Sequence, residues 1–465
     1  MADQQARFLE GSLLRHITVM ALTASIGLMA VFVVDLVDMI FISMLGRDEL
    51  AAAIGYAGAI LFFTSSFGIG MAIAAGALVA RALGAGEPHT ARRRTATALI
   101  YGIGFGALFA ALVWVNVPTL ARAVGASGVT LELATSYLRI IIPSLPLLIA
   151  GMIGGAVLRA HGDARRAMLS TIAGGAVNAV LDPILIFGFG LDLTGAALAS
   201  VAARAAIAFF ALYPVVRFHG GFDRPTRAEF RIDFPAIMTI ALPAILTQFA
   251  TPVGQAYVTR AMAAYGEDAV AGMAIIGRLI PVAFGVVFAL SGAIGPIIGQ
   301  NFGANRHDRV RGALRDGLLF VAVVVVLISA LLYLLRAPIA GLFNAEGIAR
   351  SLVYLFCGPL ALAWFFNGVI FVANASFNNL GHPFYSTWIN WGRHTLGTIP
   401  FVIAGGALWG APGVLIGQAA GGLAAAALAL ILAVRVTRRA TEGAAERPHP
   451  YQRQARQMLL FNFRR

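Results

Sequence analysis

Leu318-Leu-Phe-Val-Ala-Val-Val-Val-Val-Leu-Ile-Ser-Ala-Leu-Leu-Tyr-Leu-Leu335 carries no charge along its length, and Arg315, Asp316 and Arg336 bound it. A helix of about 20 apolar residues is what it takes to cross the hydrocarbon core of a bilayer. The rest of the chain is written the same way. Of its 465 residues 59% are hydrophobic and 12% charged, half the charge a soluble domain uses to coat its surface. A soluble protein with a very large core is excluded by the length of the apolar runs.

About twelve such windows follow from length and flanking charge: 17–44, 50–79, 97–120, 135–157, 167–189, 194–216, 237–262, 269–298, 312–335, 352–377, 385–407 and 413–434. Arginines gather in alternate connections. Arg7 and Arg15 precede the first window, Arg81, Arg92, Arg93 and Arg94 follow the second, and Arg159, Arg165 and Arg166 follow the fourth. Arg217, Arg224, Arg227 and Arg231 follow the sixth, Arg306, Arg309, Arg311 and Arg315 the eighth, and Arg435, Arg438 and Arg439 the last. The other connections are sparse in charge. Basic loops stay on the cytoplasmic side, so both termini are expected there and the span count is even. The net charge of +13 is then a property of those loops and does not call for nucleic acid. No cleavable signal precedes the first window.

The chain also repeats itself. Met20-Ala-Leu matches Ile240-Ala-Leu, and Met44-Leu-Gly46 matches Ala264-Tyr-Gly266. Arg81-Ala-Leu-Gly84-Ala-Gly matches Asn301-Phe-Gly303-Ala-Asn, and Leu158-Arg-Ala-His-Gly162 matches Phe377-Asn-Asn-Leu-Gly381. All pairs lie about 220 residues apart, one register over most of the chain. The expectation is an all-α integral membrane protein of twelve transmembrane helices in two pseudo-symmetric six-helix bundles, with a site between them. The divisions are an N-terminus at 1–16, a first lobe at 17–217, a linker at 218–235, a second lobe at 236–436 and a tail at 437–465. The tail is expected to be largely disordered, its final Met458-Leu-Leu-Phe-Asn-Phe-Arg-Arg being suited to a membrane surface.

Four elements, in order, resemble the MATE (multidrug and toxic compound extrusion) family. They are Val37-Asp38-Met-Ile-Phe-Ile-Ser-Met-Leu-Gly46, Leu158-Arg-Ala-His-Gly-Asp163, Asn178-Ala-Val-Leu-Asp182-Pro183 leading to Gly195-Ala-Ala-Leu-Ala-Ser200, and Gly299-Gln-Asn-Phe-Gly-Ala-Asn305 followed by Arg309 and Arg311. The chain looks more like the DinF-like branch than the NorM-like one, whose members carry an acid about where Thr251 stands. Thr23 also departs from relatives that have proline there, as this chain does at Pro243, which puts a bend of the first span in doubt.

An ionisable side chain inside the hydrocarbon needs a reason. Asp35 and Asp38 share a helix face, as do Asn178 and Asp182. The resemblance implies that Asp38, Asn178, Asp182 and Ser200 form a cation site in the first half, with Asp35 near its outer mouth. Two carboxylates with neutral oxygens beside them can share a proton or exchange it for a hard cation such as Na+. Pro183 frees helix carbonyls next to them. The rival reading pairs the carboxylates with a buried arginine, Arg204 being the first candidate and Arg260, Arg278 and Arg393 others. Arg278, Arg393 and Phe365 are candidates for a substrate cavity, and His394 for an interior histidine or a proton relay. Gln300, Asn301 and Asn305 are expected to cap helix ends, Trp364, Phe366 and Phe371 to pack, and Gly68, Gly70, Gly154 and Gly155 to allow close helix approach.

The single cysteine, Cys357, permits neither an internal disulfide nor a thiolate metal centre. Gly84-Ala-Gly86 lacks the strand and the Gly-Lys-Ser/Thr of a phosphate loop. The resemblance implies a monomeric exporter in the bacterial inner membrane. It would expel amphipathic, often cationic compounds in exchange for protons or sodium, with no cofactor and with membrane lipid and small molecules as partners. A lipid-linked oligosaccharide flippase of the same superfamily is the alternative, then a major-facilitator carrier. A membrane-embedded enzyme would need a constellation such as His161 with Asp163.

Overall fold

A computed structural model describes residues 6–445, and the described residues form helices and turns with no strand. The α-helices are α1 (Leu13–Met44), α2 (Asp48–Gly84), α3 (Pro88–Ala123), α4 (Gly128–Ile141), α5 (Leu145–Ala160), α6 (Ala164–Pro183), α7 (Asp192–Phe218), α8 (Arg227–Ala263), α9 (Glu267–Ala283), α10 (Gly285–Gly303), α11 (His307–Leu342), α12 (Gly347–Leu355), α13 (Trp364–Asn379), α14 (Phe384–His394) and α15 (Ile399–Ala445). Ten stretches are long and apolar enough to cross a membrane. A pair bent by 58°, Gly347–Leu360 with Trp364–Asn379, is an eleventh.

The last of the ten, Phe384–Ala440, is two crossings. Gly410 leaves helical geometry at φ 65°, ψ −145°, and the chain doubles back on itself there. A Cβ on Gly421 would lie 1.3 Å from the Gly397 carbonyl oxygen, one on Gly417 2.1 Å from that of Phe401, and one on Gly413 1.9 Å from that of Gly405. These pairs, each step nearer the bend, are the signature of antiparallel helices whose backbones touch through glycine. The protein therefore has twelve transmembrane crossings. α1 runs unbroken through Thr23.

Left-handed residues mark equivalent turns in the two halves. Gly46 pairs with Gly266, Gly86 with Asn305, Gly125 with Asn344, Gly128 with Gly347, Gly162 with Gly381 and Asp192 with Gly410, all at positive φ. Each pair keeps the offset of about 220 residues.

The first helix of each half crosses over at its start. Ile17, Met20 and Ala21 belong to the second half's core, whereas Ile42, at the far end of α1, belongs to the first. Their equivalents on α8 do the reverse: Ile237, Ile240 and Ala241 join the first core and Met262 the second. α2 and α10 meet at the same end. A Cβ on Gly84 would lie 1.9 Å from the Gln300 carbonyl oxygen, and one on Gly303 2.1 Å from that of Arg81. The contact is reciprocal, as a two-fold axis between repeats requires. Glycine also permits close approach elsewhere: Gly70 fits against Ile245 and Gly154 against Ala211.

Hydrogen bonds between the halves concentrate at this end, where α1 starts. Gln300 Nε2 donates to the Ala160 carbonyl (2.7 Å), and Arg81 to that of Asn378 (2.9 Å). Gln300 thereby caps the C-terminal end of α5, while Asn301 caps no helix end. They are fully buried and hold the N-terminal segment: the Phe8 N–H donates to Gln300 Oε1, and Asn301 Nδ2 donates to the Phe8 carbonyl. Arg309 donates to Asn301 Oδ1 and to the carbonyls of Phe8 and Gly11. Asn305 is the left-handed turn residue after α10.

The polar linker is shorter than its composition suggests, since α8 already starts at Arg227. Thr226 and Glu229 form a reciprocal capping box there, and Arg93 binds both Glu229 (2.8 Å) and the buried Asp233 (3.2 Å). Toward the opposite end the second halves of α1 and α8 leave Asp35, Leu36 and Thr251 exposed. The closing stretch 446–465, with its expected membrane-surface segment, lies outside the described residues.

Candidate functional site

The site is built where α1 meets α6. Asp182 is the last residue before Pro183, whose missing N–H leaves the Ala179 carbonyl without its usual helix partner. The five residues after it, Ile184–Gly188, wind as a π-turn closed by the Phe189 N–H on the Ile184 carbonyl (2.9 Å). Such turns widen a helix and recur at functional sites. Gly195 of α7 makes room for this one, because a Cβ there would lie 2.8 Å from the Leu185 backbone.

Asn178 sits one turn before Asp182 and bridges two carboxylates. Its Nδ2 donates to Asp182 Oδ2 (2.8 Å) and to both oxygens of Asp38 (3.1 and 3.2 Å). Asp38 and Asp182 also lie within hydrogen-bonding reach of each other. Asp182 is 0% exposed, and its Oδ1 is buried with no partner among the described residues. Leaving a charged buried acceptor unsatisfied costs at least about 1–3 kcal/mol.

Among the described residues no arginine pairs with Asp38 or Asp182. Arg204 turns away and donates to the Ile141 carbonyl (3.1 Å) and Ser144 Oγ (3.0 Å). Ser200 does not bond either carboxylate; its hydroxyl meets that of Tyr137. Asp35 is exposed one turn from Asp38. The buried Tyr137 on α4 is near enough to the carboxylates and to Arg204 to feel the charge of both. No spacing in the sequence links this tyrosine to the site, and only the fold brings it there.

In the second half Arg393 donates to Asn367 Oδ1 and Arg278 is exposed on α9. His394 is buried against Gly254, where a Cβ would lie 2.2 Å from its Nδ1. Phe365 packs edge-on against Phe366 on the second half's core. Trp364 stacks on Phe284 at 4.7 Å.

His161 and Asp163 hold helix ends. Asp163 caps α6, accepting from the Arg166 N–H (3.2 Å), and also binds His219 Nε2 (3.0 Å) and the Arg166 guanidinium. Burial opposes its charge, but these donors outweigh burial and hold the carboxyl well below the usual carboxylate range. Burial pushes His161 down to about 4, despite its bond to the Val157 carbonyl. Asp163→Asn is expected to cost about 1–3 kcal/mol at neutral pH, read as a lower thermal unfolding midpoint. A depressed carboxyl contributes stability above its unfolded pKa and loses it as the pH falls toward its folded one. The difference from wild type should therefore shrink in strong acid and persist at pH 6–8.

Comparison with known proteins settles the family. Its profile matches residues 23–184 and 243–402, one segment in each half. The chain belongs to the MatE family. MatE-family relatives match nearly end to end. The chain is 30% identical over 407 residues to an FAD transporter of Shewanella oneidensis, covering 85% of this chain and 89% of that one. It is 25% identical over 451 residues to the multidrug export protein MepA of Staphylococcus aureus, covering 94% and 98%. The fold matches a mutant of the Vibrio cholerae MATE transporter VcmN with a TM-score of 0.87 at 24% identity, covering 92% and 97%. This MatE-family chain is thus a multi-pass membrane transporter and not an enzyme.

Proposed function

We propose that the chain is a secondary antiporter that exports amphipathic small molecules in exchange for protons or sodium, coupled at Asp38, Asn178 and Asp182. The observation that carries this reading is the unpartnered Asp182 Oδ1 beside a bridged second carboxylate, with no basic residue paired to either among the described residues. One H+ or Na+ completes the pocket and removes a net negative charge from the first half. The six-crossing lobes, 17–217 and 236–436, act as the moving bodies of an alternating-access cycle about the glycine contact of α2 and α10. Ion entry from the open end favours release of the substrate there, and closing returns the ion. Asp35 and Ser200 flank the path to the carboxylates.

The bacterial relatives and the arginine-rich loops support a place in the bacterial inner membrane with both termini cytoplasmic, and one chain holding both lobes suffices as a monomer. One relative is named for FAD and another for multidrug export, which favours small organic substrates over a lipid-linked sugar.

The test is efflux of a fluorescent amphiphile from proteoliposomes with proton and sodium gradients imposed separately. Wild type should respond to one of the two, and Asp38→Asn to neither. Gradient-driven efflux that persists in Asp38→Asn would remove the coupling role from this site.

A further inference from the structure

We infer that the second half carries a subsite for an anionic group of the transported molecule, built on Arg393 with Asn367. The inference rests on the export reading and specifies its substrate.

Arg393 lies in the last turn of α14, which starts at Phe384 near the closed end. At 1.5 Å per residue the guanidinium stands on the order of 14 Å into the membrane, near its midplane. Arginine stays charged at any ordinary pH. It nevertheless makes no ion pair among the described residues, and its only side-chain bond runs from Nη2 to the neutral Asn367 Oδ1. Nε and Nη1 are neither bonded nor sealed off from solvent. The C-terminal end of α14 offsets part of the charge but leaves those donors unused. A fork of unused donors at membrane depth matches a planar or tetrahedral oxyanion.

The guanidinium is also held in place. Trp391 Nε1 donates to the Leu246 carbonyl (2.9 Å), Thr387 Oγ1 to that of Pro243 (2.8 Å), and Thr398 Oγ1 to that of Arg393 itself (2.8 Å). His394 seats α14 on α8 at Gly254. Helix α9 adds an exposed arginine at similar depth: Arg278 follows Glu267 by about three turns. At membrane depth the carboxylates Asp38 and Asp182 lie together in the first half, and Arg278 and Arg393 in the second are paired with no acid among the described residues. A molecule bound between them should therefore present a carboxylate or phosphate to the second half and an apolar body to the cleft.

Equilibrium dialysis of the purified full-length protein tests this with two xanthene dyes of opposite charge, carboxyfluorescein and rhodamine 6G. Wild type should prefer carboxyfluorescein by about tenfold or more, the value of one charge-assisted contact. Arg393→Gln should collapse that preference. So should Asn367→Asp, which keeps the shape and supplies an internal carboxylate to occupy the guanidinium. Failure of carboxyfluorescein to bind, or a preference that survives Asn367→Asp, overturns the subsite. Asp38→Asn separates the two readings, since it should keep the preference while losing gradient-driven transport. A preference without any gradient response would sink antiport alone, and a gradient response without the preference would sink the anion subsite alone.

Discussion

Asn178→Leu is expected to reduce gradient-driven efflux to the level of protein-free liposomes. The amide makes three bonds to two carboxylates, and leucine has nearly its volume with no donor. The two acids would then face each other with nothing between them. Bonds to charged groups contribute about 1.5–3 kcal/mol each, and removing a buried group's only partner exposes its desolvation cost in full. A loss of about 3 kcal/mol in stability should accompany the loss of transport, read as a lower unfolding midpoint at neutral pH. In acid, with both carboxyls protonated, the repulsion vanishes and the stability difference should narrow. Wild-type efflux in Asn178→Leu would show that the bridge takes no part in coupling.

Gly84→Leu is expected to hold the two halves apart at the end where α2 and α10 meet. No Cβ fits 1.9 Å from a carbonyl oxygen, and the obstacle is the α10 backbone, which cannot rotate out of the way. Overpacking of this kind costs about 1–3 kcal/mol where side chains can shift, and more against a main chain. Each 1.4 kcal/mol moves a two-state population about tenfold, so the closed arrangement should become a minor one. Spin labels at the exposed Glu87 and Arg306, beyond the ends of α2 and α10, should report a longer and broader distance distribution, and efflux should fall by about tenfold or more. The reciprocal Gly303→Leu should behave alike because the contact is symmetric. An unchanged distance in both variants would mean that this end does not close through these glycines.

Much of the site was legible because its residues are expensive where they lie. Asp38 and Asp182 stand out in apolar windows, and the four-residue spacing puts Asn178 and Asp182 on one face. The π-turn after Pro183 was half legible: proline announces a broken bond, but the response depends on the room Gly195 leaves. Ser200 was expected among the ligands, and its hydroxyl meets Tyr137 with no hydrogen bond to either carboxylate, since a shared half does not fix the rotation of α7. Gln300 and Asn301 are amides near a helix end, where capping is the usual role, and Gln300 does cap, but it caps α5 and not its own helix. Their partners, Phe8 and Ala160, lie far off in the sequence, and no local pattern announces them.

The sequence by itself determined that the chain crosses the membrane repeatedly, that its second half repeats the first, and where its turns fall. Those properties depend on local quantities: the transfer cost of each apolar window and the left-handed backbone that Gly46 or Gly266 adopts at no steric cost. Only the tertiary structure decided which buried polar atoms meet. Asn178 reaches Asp38 across 140 residues of chain, Arg204 passes the carboxylates by, and Arg393 finds an amide and no acid. The reason is that helices in lipid can turn about their axes with little change in the apolar surface they bury. Their rotation is set by close packing at glycine and by the few hydrogen bonds between them, which exist only once all the helices are in place.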